Sequence, residues 1–289
     1  MKNSIVTSII LITVSGLLSG CQQTGEKNFK EETSFEVGSI EEIEINSESW
    51  DIELQNTETE NIIIAVDGKQ KGKNNDPVII NNEEKKVTVK QRDEKGISSG
   101  FSFGKEGTIS ISIPKKKLAQ ITLNNTYGDI KVMDAAAENI TVSNDSGTGK
   151  IEGLSAEKGK FISKDGEWSL ENSSVKELIV TSAAGDNYIT NVISSKGEIT
   201  STDGEIIMKD AIEGESLRAE TKSGDITISY KETPTSLKVT ANSNSFDITV
   251  DLNNFKKTVN AENSIEGTVG DRLNKLEAIS KNGVINITE

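Results

Sequence analysis

Cys21 is the only cysteine in the 289-residue chain, and its surroundings give it a definite chemistry. It closes the run Leu18-Ser19-Gly20-Cys21, directly after an apolar stretch from Ile5 to Leu18 and a positive start at Lys2. That apolar length suits the core of an export signal and is short for a membrane-spanning helix. Small residues ahead of a cysteine let a peptidase take the chain in extended form. A thiolate is the natural nucleophile for acquiring a diacylglyceryl group. Residues 1–20 therefore read as a leader, cleaved so that Cys21 becomes the first mature residue and carries the lipid. The competing reading is an ordinary signal peptide with a chance cysteine. One acyl chain holds a membrane reversibly and two hold it stably, so a lipidated Cys21 would be an anchor in itself. The longest later apolar run, Ile62 to Val66, is far too short to span a bilayer.

The arrangement resembles the bacterial lipobox. It implies export and attachment to the outer face of the cytoplasmic membrane, or to the outer membrane where the envelope is double. Loss of Lys2 with the leader moves the formal charge from −14 to −15. So acidic a surface repels nucleic acid and anionic headgroups alike. DNA and RNA are therefore not expected as partners, and the lipid must do the anchoring alone. The chain has no histidine. That removes the commonest general base, the commonest metal ligand and the Ser-His-Asp triad.

Other candidates for chemistry have blander explanations. Five acids each follow a glycine: Asp129, Glu167, Asp186, Glu205 and Asp225. Stacked carboxylates could collect calcium, which takes several oxygen ligands. Calcium-binding β-rolls use a denser Gly-Asp nonapeptide that is absent here, and turn chemistry accounts for the acids without a metal. No cofactor is expected beyond the lipid on Cys21. Lys131, Lys150, Lys164 and Lys222 stand near enough to offset repulsion between the acids. Tyr127, Trp168 and Tyr188 could form an aromatic platform for sugars, although Trp168 falls in an apolar column and reads as core. Ser155-Ala-Glu-Lys158 has the Ser-x-x-Lys spacing of certain acyl enzymes, but that motif needs the start of a helix. Arg92, Arg218 and Arg272 are too scattered for the basic centre of a polysaccharide lyase. No catalytic residue is assigned.

The elements that position these residues are set by a repeat. Glycines fall at 128, 147, 166, 185, 204 and 224, in steps of 19, 19, 19, 19 and 20, and Gly283 lies 59 further on, as if three steps away. Ser245-Phe-Asp-Ile248 and Ser264-Ile-Glu266 would fill that gap. Four residues after each glycine stand Val132, Ile151, Leu170, Ile189, Met208, Ile228 and Ile287. Five before stand Leu123, Val142, Phe161, Val180, Ile199, Ala219 and Ala278. Three before stand Asn125, Asn144, Ser163, Ser182, Ser201, Thr221 and Ser280, all small and polar, fit for an internal ladder at the corner. Apolar and polar residues alternate around each glycine, which marks a strand buried on one face. Glycine beside Asn, Asp, Ser or Lys marks a turn, possible site of a positive φ.

A unit this short cannot bury its own apolar face, whereas stacked units bury a continuous core. The expected fold is all-β: a β-solenoid (single-stranded β-helix) of about 19 residues per coil. Nine coils would form a rod on the order of 40 Å long. The leucine and asparagine spacing of leucine-rich repeats is absent, and a β-sandwich does not require a constant step. The division expected is a leader over 1–20, a flexible tether over 21–33, irregular β-rich coils capping the rod over 34–117, and regular repeats over 118–289. Within the cap, Ile40–Ile45, Asp51–Leu54, Ile62–Val66, Lys86–Lys90 and Thr108–Ile113 read as strands. Ser49-Trp50-Asp51-Ile52 resembles a corner with Trp50 in place of glycine. The segment from Arg92 to Gly107 reads as a long loop carrying Phe101 and Phe103.

Thr221-Lys-Ser-Gly-Asp-Ile-Thr-Ile228 and Asn125-Thr-Tyr-Gly-Asp-Ile-Lys-Val132, following a lipobox and an Ile-Glu-Ile strand, resemble the bacterial "putative adhesin" domain of unknown function. The resemblance covers most of the chain after Ser34 and departs from the pattern at Phe246, Ile265 and Asn187. It implies a β-helical fold and a cell-surface setting, and it carries no catalytic residues. The function expected is a non-enzymatic module for adhesion, envelope binding or scaffolding. Its partners would be the membrane through the lipid, and cell-wall polysaccharide or an envelope protein through the rod. The alternatives are a polysaccharide-active β-helix enzyme and a regulator in an envelope-stress pathway acting through the Arg92–Gly107 loop.

Overall fold

The computed structural model describes residues 26–36, 38, 40–71, 76–92 and 107–289. Cys21, the leader and most of the Arg92–Gly107 loop, with Phe101 and Phe103, lie outside the described residues. Among those described there is no α-helix, so none is long and apolar enough to cross a membrane. The first two fifths of the chain supply β1 (Glu26–Glu36), β2 (Glu42–Asn46), β3 (Asp51–Thr57), β4 (Asn61–Lys71), β5 (Val78–Glu83), β6 (Lys86–Gln91) and β7 (Gly107–Pro114). The regular region follows: β8 (Leu118–Asn125), β9 (Ile130–Met133), β10 (Ala136–Asn144), β11 (Gly149–Glu152), β12 (Ser155–Ser163), β13 (Trp168–Glu171), β14 (Ser174–Thr181) and β15 (Asn187–Thr190). It continues through β16 (Lys196–Ser201), β17 (Ile206–Ala211), β18 (Ser216–Thr221) and β19 (Ile226–Tyr230). Last come β20 (Ser236–Ser243), β21 (Ile248–Val250), β22 (Lys256–Ala261), β23 (Ser264–Gly270), β24 (Asn274–Ser280) and β25 (Ile285–Thr288).

These strands form two facing sheets, and the chain alternates between them. The first sheet runs β1-β4-β7-β3-β9-β11-β13-β15-β17-β19-β25-β21 and the second β22-β23-β20-β24-β18-β16-β14-β12-β10-β8-β2-β6-β5. From β7 to β21, and from β6 to β20, every neighbouring pair is parallel. Each coil contributes one strand to each sheet, so the described residues make ten coils rather than nine. At ~4.8 Å per strand the parallel core is about 45 Å long. The expected β-solenoid is therefore the fold.

The apolar columns face each other between the sheets. Leu123, Val142, Phe161, Val180, Ile199, Ala219 and Ala278 are buried at 0% exposure, one strand above the next. Val132, Ile151, Leu170, Ile228 and Ile287 line the opposite wall, equally buried. Volume is traded between coils: the Trp168 ring spreads over Gly149, where a Cβ would lie 2.0 Å from it. Phe161 meets Trp168 edge to face at 5.5 Å. Interiors are close-packed, so a large ring in one coil demands a small residue in the next.

Stacking also explains the glycine column, and differently from the turn reading. None of the corner glycines has a positive φ; among the described glycines that conformation falls to Gly153 and Gly270. A Cβ on Gly147, Gly166, Gly185, Gly204, Gly224 or Gly283 would instead lie 1.9 to 2.2 Å from the carbonyl oxygen of the glycine one coil earlier. Left-handed residues occupy the other corner, at Asp134, Gly153, Asn172, Asn191 and Asp210, again 19 apart. Asn and Asp tolerate that region better than other side chains.

Two further expectations are corrected. Gly283 does not lie three coils beyond Gly224 but rests directly on it. The chain leaves β19, makes β20 and β21 one position further out, turns back through the antiparallel hairpin β22–β23, and inserts β24 and β25 into the slot left open. Ser245–Ile248 thus forms a corner of the outermost coil, and Ser264–Glu266 belongs to the hairpin. The strand closing the sequence lies inside its sheet because it pairs on both sides. The opposite end is built likewise, with β2 and β3 lying between the coil of β6 and β7 and that of β8 and β9. The second correction concerns the tether. Residues 26–33 belong to β1, which pairs antiparallel with β4 from Glu26↔Lys71 to Glu36↔Asn61. Alternate β1 residues Phe29 and Phe35 pack on the core, and that apolar period makes a strand where polarity suggested a linker.

Candidate functional site

Most residues singled out for chemistry turn out to hold the coils together. The small polar column is internal, with Asn144 and Thr221 at 0% exposure. Thr221 Oγ1 accepts from the Gly224 amide at 3.1 Å and donates to the Gly204 carbonyl at 3.1 Å; Ser280 does the same with Gly283 and Gly224 at 2.8 and 2.9 Å. These two side chains each close their own turn and reach the neighbouring coil. The acids divide by length. Asp129, Asp186 and Asp225 accept backbone amides of the next coil, from Thr148, Glu205 and Val284 at 2.9, 2.8 and 2.7 Å. Asp51 takes the Asp129 amide in the same way at 2.9 Å, beside Trp50, which stands where later corners have glycine. Glu167 and Glu205, one methylene longer, make no such bond. Among the described residues, no group of three or more acidic or sulfur side chains is placed to hold a metal.

The aromatic candidates are not brought together. Tyr127 is 65% exposed at a corner, and Trp168 is fully buried in the core with its indole Nε1 unpartnered. Tyr188 lies on the outer face of the first sheet, its hydroxyl 3.3 Å from Asp186 Oδ2. Partial burial, then the Asp186 and Glu167 charges, raise its pKa. Ser155 and Lys158 lie on a strand, and Lys158 pairs with Glu177 at 3.3 Å. Arg92 donates to the Asp76 carbonyl at 3.0 Å, at the end of the rod away from Arg218. Lys150 pairs with Glu152 and Glu171, not with the corner acids.

What remains open is a shallow concavity of about 550 Å³ on the outer face of the second sheet, across β14, β16, β18, β24 and β20. Register places its side chains in rows. One row runs Glu177, Lys196, Ser216, Lys275 and Lys238; the next runs Ile179, Glu198, Arg218, Glu277 and Thr240. Arg218 is held in place by Glu277 on one side and by Glu220, at 2.6 Å, on the other; these bonds raise its pKa further, Glu277 contributing most. Ile179, 39% exposed, and the half-buried Leu217 add apolar surface. Lys196, Lys275 and Lys238 are exposed and form no ion pair among the described residues. Sequence reading missed this face, because β24 joins it from 59 residues away. Glu31, whose carboxyl is raised by burial and by Asp76, lies on β1 at the far end of the rod.

Ten parallel coils, an apolar core and corners hydrogen-bonded from coil to coil define a two-sheet β-solenoid. The sequence profile of the Toastrack DUF4097 family matches residues 40–288, and the chain belongs to that family. A "putative cell adhesion protein" from Clostridium sporogenes is similar at 15% identity and a TM-score of 0.32, over 91% of this chain and 99% of that one. A "putative adhesin" from Bacteroides fragilis is similar at 14% identity and a TM-score of 0.40, over 91% of this chain and 96% of that one. No curated protein matches the chain.

Proposed function

We propose that the protein is a non-enzymatic envelope-binding module, exported, held at a membrane by lipid on Cys21, and presenting the flank of a rigid rod to an extended partner. One observation carries the reading: the outer face of the second sheet is an open concavity built from side chains on five rigid strands. Its carboxylates Glu177 and Glu277 are bound to Lys158 and Arg218, so they serve as supports rather than as a pair of acid and base. Broad, flat surfaces suit polymers, which gain affinity from repeated weak contacts rather than from one enclosing pocket. The short distance from Cys21 to Glu26 supports display close to the membrane. Five residues span at most about 18 Å, so β1 would sit just above the bilayer with the coils rising from it.

The test is retention of the detergent-extracted full-length protein on purified envelope fractions: peptidoglycan sacculi, wall polymers and membrane vesicles. Retention by at least one of them is expected. Recovery of all the protein in the unbound fraction from every one of them would overturn the reading.

A further inference from the structure

We infer that the concavity on the second sheet is a binding site for a linear polyanion carrying phosphodiester groups, with Lys196, Lys275 and Lys238 as its contacts. This deepens the envelope-binding reading and rests on it. The three lysines stand in one row, all exposed, with Lys275 and Lys238 on adjacent strands and Lys196 two strands from Lys275. At ~4.8 Å per strand, their stems rise about 5 and 10 Å apart along the rod. A chain lying along the rod therefore meets several ammonium groups at spacings set by the sheet rather than by flexible loops.

The charge balance favours an anion here despite the net −14 of the protein. Charges further away than about 8–10 Å are largely screened at physiological salt, so the local set decides. Of the acids lining the groove, Glu177 pairs with Lys158, and Glu277 shares Arg218 with Glu220, so Glu198 and one of the two carboxylates on Arg218 stand against three lysines that form no ion pair among the described residues. A lysine ammonium is a strongly hydrated point charge on a flexible stem, suited to phosphate oxygens whose orientation varies along a polymer. The occupant is a polymer rather than a lipid surface because of the place of the site. β14 to β20 lie about 30–50 Å along the rod from β5, counted in strand spacings. They occupy its flank, where a bilayer meeting the β1 end would not reach.

The probe is a linear poly(glycerol phosphate), with a neutral β-1,4-linked glycan and phosphatidylglycerol vesicles as the other arms. Full-length wild type in detergent is compared with two triple variants of equal charge change. One is Lys196→Gln, Lys238→Gln, Lys275→Gln in the groove. The other is Lys131→Gln, Lys150→Gln, Lys209→Gln on the outer face of the first sheet. Wild type is expected to bind the poly(glycerol phosphate) with marked salt dependence. The groove variant should bind at least about tenfold more weakly, with a salt slope smaller by up to about three, one for each lost contact. The first-sheet variant and a groove variant with arginine at all three positions should bind nearly as wild type, and unchanged melting would exclude misfolding. Equal losses in both triple variants, or an unaffected groove variant, would overturn the inference. Binding to the neutral glycan alone would overturn it while leaving the envelope-binding reading in place. Binding to the vesicles alone would overturn it in favour of a lipid-surface role. Binding in no arm, with no retention on sacculi or wall polymers, would remove both.

Discussion

A column of similar residues in sequence does not imply a column of similar roles. The five corner acids look equivalent, yet the aspartates reach the next coil's amide and the glutamates do not. Removing Asp186 leaves the Glu205 amide without its acceptor, so Asp186→Ala is expected to lower stability by about 1–2 kcal/mol. Glu167→Ala, in the same column, should be within about 0.5 kcal/mol of wild type. Urea midpoints of the two variants measure the contrast. Equal losses would mean that the column acts through charge rather than hydrogen bonds. The glycines permit a sharper contrast. A Cβ at Gly185 would meet the Gly166 carbonyl oxygen at 1.9 Å, whereas nothing lies within 4 Å of one at Gly38. Backbone against backbone cannot relax by a rotamer change, so Gly185→Ala should cost at least about 1–3 kcal/mol, and Gly38→Ala should be nearly neutral. Comparable midpoints for the two would contradict the close-approach account.

Among elements, the least expected is β24 with β25, the end of the sequence set between two coils that precede it. The insertion is clasped by Glu213, which lies in the β17–β18 connection. Its carboxylate accepts from the Thr235 and Ser236 amides at 2.7 and 3.0 Å and from Asn274 Nδ2 at 3.0 Å, joining three coils. Burial alone would raise its pKa; the bonds from Thr235, Asn274 and Ser236 outweigh that and leave it lowered. A lowered folded pKa contributes stability above the unfolded value near 4.5, and that stability is lost as pH falls through the folded value. Glu213→Gln should therefore match wild type in acid and fall below it at neutral pH. Because the group is only partly buried, the gap should be about 1 kcal/mol or less. Melting temperatures from pH 3 to 7 would show it, and a constant gap across that range would rule out the carboxylate as the clasp.

Truncation after Leu273 tests the insertion more severely. In a rod wound in sequence order, losing the last coil would expose one edge. Here it strips β18 and β20, and β19 and β21, of a shared partner, leaving open edges inside the structure. Nearest-neighbour stacking supplies most of a solenoid's stability, so hydrogen exchange should lose protection over β18–β23 and keep it over β8–β15. Protection retained at β18–β21 would argue against the inserted position. This is also where sequence reading reached its limit. Steps of 19 or 20 from Gly128 to Gly224 reveal stacking because each glycine meets its predecessor's carbonyl, a local constraint repeated along the chain. A 59-residue gap fits three small steps as well as one step around an excursion, and periodicity alone does not separate them. The lysine row stayed hidden for the same reason, since Lys275 joins Lys196 and Lys238 only through the insertion. The left-handed corner was legible in principle, as Asp134, Gly153, Asn172, Asn191 and Asp210 keep the step of 19. Strand β1 was not, because a polar stretch with two phenylalanines six apart carries too little apolar signal to mark a strand without its partner β4.

For the whole molecule the question is how a rod presents its flank. A structure about 45 Å long, attached through a flexible linker of many residues, would tumble and offer its groove in all directions. With β1 starting at Glu26, a lipid on Cys21 would allow far less of that freedom, because only residues 22–25 separate the two. If Cys21 carries the lipid, the β1 end stays within about 18 Å of the bilayer, and the groove is held at a roughly fixed height. Two consequences can be separated. Once the leader is removed, a Cys21→Ser chain should be released into the medium or the aqueous phase of a detergent partition, because among the described residues no helix is long and apolar enough to cross a membrane. A flexible linker of some 30 residues inserted after Cys21 should keep the protein on the membrane but spread the groove's height, weakening retention on intact wall while leaving binding to soluble polymer unchanged. If the serine variant stays membrane-bound, the lipid anchor is wrong. If the linker leaves wall retention untouched, the anchor survives and the fixed height has no part in binding.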